Sequence, residues 1–133
     1  MKYFLLTLWA VFIFISTCTE NVFAFFRDWK ISFDFNPNPT WDTFLQLYPL
    51  AQASMLELIG HFIMFLILTF LLMGVFHEIG HVFILAVTYA FLTEVLQVYF
   101  GRGGDLYDIA ANVLGIGVGL VVGSYLQKVY VTS

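Results

Sequence analysis

Long apolar stretches separated by short polar breaks set out the plan of this chain. Residues 3–18 are apolar apart from Thr7, Ser16 and Thr17, and the pattern resumes over 22–26 after Glu20 and Asn21. Three further apolar runs cover 58–76, 82–100 and 109–126. Each is about 18–19 residues long, enough at 1.5 Å per residue to cross a hydrocarbon core of roughly 30 Å. Lipid offers no water to an unpaired backbone group, so spanning segments of this kind are predicted to be helical. The links at 77–81 and 101–108 are short, which makes consecutive helices neighbours running in opposite directions. The expected fold is therefore an all-α integral membrane protein, with four transmembrane helices in a compact antiparallel bundle. Its units are a first helix with its flank (1–26), an extramembrane loop (27–55), a core of three membrane helices (56–126) and a short tail (127–133).

The segment from Arg27 to Ser54 is polar, carries Asp28, Asp34 and Asp42, and contains Asn36-Pro37-Asn38-Pro39, which breaks any helix. Within it, residues 30–35 alternate with period two, a weak strand signal, and Trp29, Trp41 and Tyr48 suit the headgroup level. Two cleavage patterns accompany the first apolar segment: Ile15-Ser16-Thr17-Cys18 resembles a lipobox with an atypical Thr, and Val22-Phe23-Ala24 resembles a small-residue site. A retained membrane anchor is the expectation over either. Lys and Arg are split between the two sides, Lys2 and Lys128 against Arg27, Lys30 and Arg102, so the positive-inside rule does not orient the bundle. The acidic loop favours an extracytoplasmic position for 27–55 and cytoplasmic termini.

Composition agrees with lipid as the solvent: 61% of the 133 residues are hydrophobic, 11% are charged, and the mean hydropathy is +0.91. Five Lys and Arg against a net charge of -4 leave no basic stripe for a nucleic acid. The bilayer is the expected partner. Cys18 is the only cysteine, so neither an internal disulfide nor a cysteine zinc cluster is available.

Ionisable residues inside membrane segments are costly and mark function, and here they gather at one side. His61 lies near the start of the second long run, Glu94 and Gln97 near the end of the third, and Asp105, Asp108 and Asn112 at the start of the fourth, with Arg102 in the link. Connectivity alone brings these ends to one membrane face, where Glu57 joins them. Glu94 and Gln97 are three apart, and Asp105, Asp108 and Asn112 step by three and four, so each set shares a helix face. Asp108, Asn112, Gly115, Gly119 and Gly123 fall within an arc of roughly 80°. The glycines form two overlapping GxxxG steps, which predict close helix packing, either within the chain or with a second copy or another membrane protein. The charged set reads either as a ligand site or as an internal clamp in which Arg102 pairs with an Asp or Glu.

His77-Glu78-Ile79-Gly80-His81 matches H-E-x-x-H, in which two His one helical turn apart bind zinc and the Glu acts as general base. A catalytic zinc needs a third protein ligand. Glu94 lies 13 residues beyond His81, about 20 Å along a helix. His61, Asp105 and Asp108 belong to the opposite face. The expectation is a polar turn, with no metal and no cofactor; an intramembrane protease using His77, Glu78 and His81 is the enzyme alternative, and a structural packing subunit is a further one.

The run Glu94-Val95-Leu96-Gln97, followed by Gly101-Arg102-Gly103-Gly104-Asp105-Leu106-Tyr107-Asp108 and then Asn112 and Gly115, resembles the signature of the VanZ-like family. Glu94, Gln97, Arg102, Asp105, Asp108, Asn112, Gly115 and Gly119 occupy matching positions. His61 with Phe62 and Phe65 is similar to an earlier His-aromatic segment of the family, although Leu56, Glu57 and Leu58 stand where an Asp-Lys pair is common. The resemblance covers about residues 57–123. It implies a bacterial cell-envelope protein in the cytoplasmic membrane, whose named relative is associated with low-level resistance to the glycopeptide teicoplanin, and it implies no hydrolytic or transferase activity. A polar cluster at one leaflet suits the headgroup of an amphiphile, a lipoglycopeptide or wall lipid, whose acyl tail would lie beside the helices.

Overall fold

The computed structural model describes residues 1–42, 44 and 46–132, the last three by backbone alone; Ser133, the end of the expected tail, lies outside the described residues. The chain is all-helical among these residues: α1 (Lys2–Cys18), α2 (Val22–Asp28), a short 3-10 turn (Leu50–Gln52), α3 (Met55–Val75), α4 (Ile79–Tyr99) and α5 (Leu106–Thr132). By length and composition α3, α4 and α5 can each cross a membrane, whereas α1 is apolar but shorter, at 17 residues. The first apolar segment is not one helix. It breaks at Thr19–Asn21, and the Asn21 side chain caps α2 by accepting from the Ala24 amide at 2.9 Å.

Local chemistry places the helix ends. Ser54 caps α3 and accepts from the Glu57 amide, the first half of a capping box that the sequence Ser-Met-Leu-Glu encodes. Gly101 and Gly103 take positive φ of 71° and 73°, which lets the chain reverse between α4 and α5 within a few residues. Asp105 then caps α5, its side chain accepting from the Tyr107 amide at 2.9 Å and its carbonyl from the Ile109 amide at 3.1 Å.

The core is apolar and draws on four helices: Ile13 from α1, Phe65 and Leu68 from α3, Ala86 from α4 and Ile116 from α5 are buried together. Two polar ties fasten α1 to it: Trp9 Nε1 donates to the Met64 carbonyl at 3.0 Å, and the Tyr89 hydroxyl donates to the Ala10 carbonyl at 2.6 Å. The closest approach is between α3 and α5, along the glycine stripe. A Cβ at Gly115 would strike the Phe62 carbonyl oxygen, one at Gly119 would meet Thr69 Cβ at 2.8 Å, and one at Gly123 would meet Met73 Sδ at 2.5 Å. The stripe is thus filled by α3 of the same chain, the intrachain one of the packing arrangements that its spacing allows. Small residues serve here because helix association in lipid rests on close packing rather than on expulsion of water.

The segment before α3 also differs from the sequence reading. Residues 30–35 form no strand; their alternation instead sets Phe33 and Phe35 against Phe100, at ring separations of 5.4 and 5.5 Å, with Phe14 and Tyr99 alongside. The Asn36 amide donates to the Tyr99 carbonyl at 2.8 Å, so the loop is fastened over the end of α4.

Candidate functional site

Three helices contribute to a buried polar cluster on the side of the molecule where α3 and α5 begin and α4 ends. His61 from α3, Glu94 and Gln97 from α4, and Asp108 and Asn112 from α5 are all buried. Glu94 is its centre. One carboxylate oxygen accepts from Asn112 Nδ2 at 3.4 Å and Gln97 Nε2 at 3.5 Å, and the other accepts from the Asp105 amide at 3.1 Å. His61 Nδ1 lies 3.0 Å from Asn112 Oδ1 and 3.7 Å from Glu94 Oε1, while its Nε2 faces Asp108 Oδ2 at 3.6 Å.

The network assigns the imidazole its tautomer. Asn112 spends its amide nitrogen on Glu94, so its oxygen faces His61 and must receive the proton on Nδ1. The lone pair of neutral His61 is then on Nε2, pointing at Asp108. Sequence spacing groups these five residues at one face, and the fold joins them through their side chains.

Arg102 does something different. Arg102 pairs with a Glu, as the clamp alternative allows, but the partner is Glu57 rather than Glu94 or Asp108: Arg102 Nη2 donates to Glu57 Oε1 at 3.2 Å, and Nη1 donates to the Thr19 carbonyl at 3.4 Å. The positive φ values on either side of Arg102 turn the link so that its side chain reaches α3 and the end of α1. Asp105 likewise belongs to the rim, where it accepts the Tyr48 hydroxyl proton as well as capping α5. The hydrogen bond to this carboxylate, with burial adding to it, raises the Tyr48 phenol above its ordinary pKa. Tyr107 completes the rim by donating its hydroxyl to the Tyr48 carbonyl, with the two rings 5.0 Å apart. Sequence reading left Tyr48 as a headgroup aromatic and gave Tyr107 and Thr19 no role; no local spacing links residues so far apart in the chain.

A cavity of about 530 Å³ opens beside the cluster between α1, α2 and α3. Its wall is formed largely by Trp9, Phe12, Phe23, Phe26, Ile63 and Met64. Glu57, His61 and Arg102 supply its polar end.

Among the described residues the H-E-x-x-H motif is not gathered into a metal site. His77 and Glu78 precede the start of α4 at Ile79, so the helical spacing that would converge both imidazoles is not realised. All three residues are exposed, and Glu78 Oε2 instead meets His81 Nδ1 at 2.9 Å. Among the described residues no third metal ligand joins them.

The model of the VanZ/LLP1 family matches residues 2–127. The chain belongs to this family. The match is wider than the motif-bearing 57–123, in keeping with the contribution of α1 and the loop to the rim through Thr19 and Tyr48. The chain is also similar to the "Uncharacterized membrane protein YwnJ" of Bacillus subtilis (strain 168), at 32% identity over 121 residues that cover 89% of this chain and 86% of the relative. No solved structure matches it. Family membership, the membrane-protein relative and three apolar spans make this a VanZ-family membrane protein.

Proposed function

We propose that this chain is a bacterial cell-envelope protein that receives a lipid-like amphiphile from the membrane and thereby alters sensitivity to lipid-tailed glycopeptides such as teicoplanin. The observation that supports this reading is the cavity beside the cluster: an apolar chamber of about 530 Å³ whose polar end holds Arg102, Glu57 and His61. An acyl chain fits the aromatic and aliphatic wall, and a head bearing both anionic and cationic groups matches Arg102 and Glu57. In this reading α1 is a fourth crossing, successive helices run antiparallel, both termini lie in the cytoplasm, and the acidic loop lies outside the cytoplasmic membrane. The ties from Trp9 and Tyr89 favour an α1 that spans with the bundle.

Expression in a teicoplanin-susceptible Gram-positive host, with reporter fusions at Thr40 and after Ser133 to orient the chain, tests the proposal. The expected result is a raised inhibitory concentration for teicoplanin, no change for a glycopeptide of the same class lacking an acyl tail, and loss of the effect when Gly60→Trp narrows the cavity. Equal shifts for both antibiotics, or none, would overturn the amphiphile reading.

A further inference from the structure

We propose that His61, Glu94 and Asp108 bind one divalent transition-metal ion, zinc by preference, between α3, α4 and α5. One ligand atom from each of the three residues lies within 4.8 Å of the others, and all three residues are buried. They come from three different helices, so the set exists only in the folded chain.

Asp108 points to a ligand most directly. Its side chain is only 9% exposed, yet among the described residues its carboxylate takes part in no hydrogen bond; it faces His61 Nε2 at 3.6 Å, too far for one. Among the described residues no fully buried side-chain polar atom lacks a partner; what Asp108 offers is a nearly buried carboxylate oxygen held at ion-pair distance from the imidazole. A cation between the two atoms would be held by both. Ligands about 2.0–2.1 Å from a tetrahedral zinc sit roughly 3.4 Å from one another, close to the spacing His61 and Asp108 already have. A contraction of at most about 1.4 Å, from the 4.8 Å within which the three ligand atoms lie, would bring in Glu94, and a fourth position would remain for water or a ligand.

Charge points the same way. Glu94 and Asp108 bring two potential negative charges into the interior, and among the described residues neither has a Lys or Arg within ion-pair distance, because Arg102 is engaged by Glu57. A divalent ion with a neutral imidazole balances the pair. His61 is already set for this role: donation from Nδ1 to Asn112 leaves the Nε2 lone pair aimed into the gap, as metal-ligating imidazoles are commonly oriented by a partner on the other nitrogen. One nitrogen and two carboxylates suit zinc or manganese, and the affinity order of divalent ions favours zinc; calcium and magnesium call for six or more oxygens. Because His61 lines the cavity wall, an ion has a route to the site.

The proposal stands apart from the amphiphile reading, since the ligand atoms all belong to the protein. Full-length protein purified in detergent, stripped with a chelator and reloaded with Zn²⁺, should retain one zinc per chain after desalting and melt at a higher temperature than the stripped form. Co²⁺ should give the visible absorption bands of a nitrogen- and oxygen-ligated ion. His61→Ala and Asp108→Asn should abolish retention, Asn112→Ala should weaken affinity by about 10–100-fold through loss of the imidazole's orienting partner, and His77→Ala with His81→Ala should change nothing. Size-exclusion profile and helical circular dichroism identify any variant that fails to fold; Asp108→Asn removes no hydrogen bond, so its fold should persist. Neither zinc nor manganese retained by the wild-type chain, or zinc kept by a folded Asp108→Asn variant, would overturn the site. Failure of the antibiotic test would leave this measurement unaffected.

Discussion

Arg102 is held by Glu57 at 3.2 Å, on the rim of the buried cluster. The only arginine of the fourth-helix signature therefore acts as a latch between the α4–α5 link and the first turn of α3, and the two interior carboxylates are left to other partners. Glu57 is 36% exposed, so solvent screens the pair and its contribution to stability is about 1 kcal/mol or less. Glu57→Gln should lower the melting temperature only slightly while weakening the antibiotic phenotype. The doubly exchanged Glu57→Arg, Arg102→Glu should accumulate normally, and a collapse in membrane levels for Glu57→Gln would show that the latch is structural.

Glu94 and Asp108 should respond in opposite ways to removal of the carboxylate. Glu94→Ala strands the Asp105 amide and the Asn112 and Gln97 side-chain donors in the interior. Each unsatisfied group costs about 1–3 kcal/mol, so membrane levels and thermal stability should fall sharply. Asp108→Asn in metal-free protein removes a carboxylate with no hydrogen bond, and stability should be unchanged or higher. Thermal unfolding of the two variants in detergent, followed by tryptophan fluorescence, gives the comparison; a larger loss for Asp108→Asn would contradict the assigned network.

The glycines divide by what a methyl group would meet. At Gly115 a Cβ would strike the Phe62 carbonyl oxygen and lie 3.1 Å from the Leu66 amide nitrogen, backbone atoms that cannot swing aside. Gly115→Ala should cost about 1–3 kcal/mol through forced separation of α3 and α5. At Gly117 nothing lies within 4 Å, so Gly117→Ala should be neutral or stabilising through helix propensity. Equal effects in thermal unfolding would show that the α3–α5 contact is looser than described.

The first helix should remain attached. Ile13 and Cys18 are fully buried, and Trp9 and Tyr89 bond α1 to α3 and α4. Intact mass of the membrane-extracted protein should include residues 2–18, and Trp9→Phe should cost about 1 kcal/mol as the bond to the Met64 carbonyl is lost. A mature chain starting at Cys18 would show processing and refute the anchor.

Much of the site was legible because it depends on position along each helix. His61 near the start of one apolar run, Glu94 and Gln97 near the end of the next, and Asp108 and Asn112 at the head of the last must meet at one face if the links are short. Partner choice was not legible. Arg102 has Glu94, Asp105 and Asp108 as its nearest carboxylates in sequence, yet the left-handed turns at Gly101 and Gly103 direct it to Glu57, 45 residues away. Tyr48 reaches Asp105 across 57 residues, a separation that no local spacing encodes.

The sequence by itself determined that the chain belongs in lipid, where its long helices run, and which ends of them are polar, because apolar length and connectivity are sums over neighbouring residues. Only the tertiary structure decided how each helix is turned about its own axis. That rotation is fixed by contacts between helices, chiefly the seating of α3 in the Gly115–Gly119–Gly123 stripe of α5. It turns His61 toward Asn112 and Asp108, with Glu94 of α4 beside them, and so makes one site from residues that the sequence could only place on the same side of the membrane.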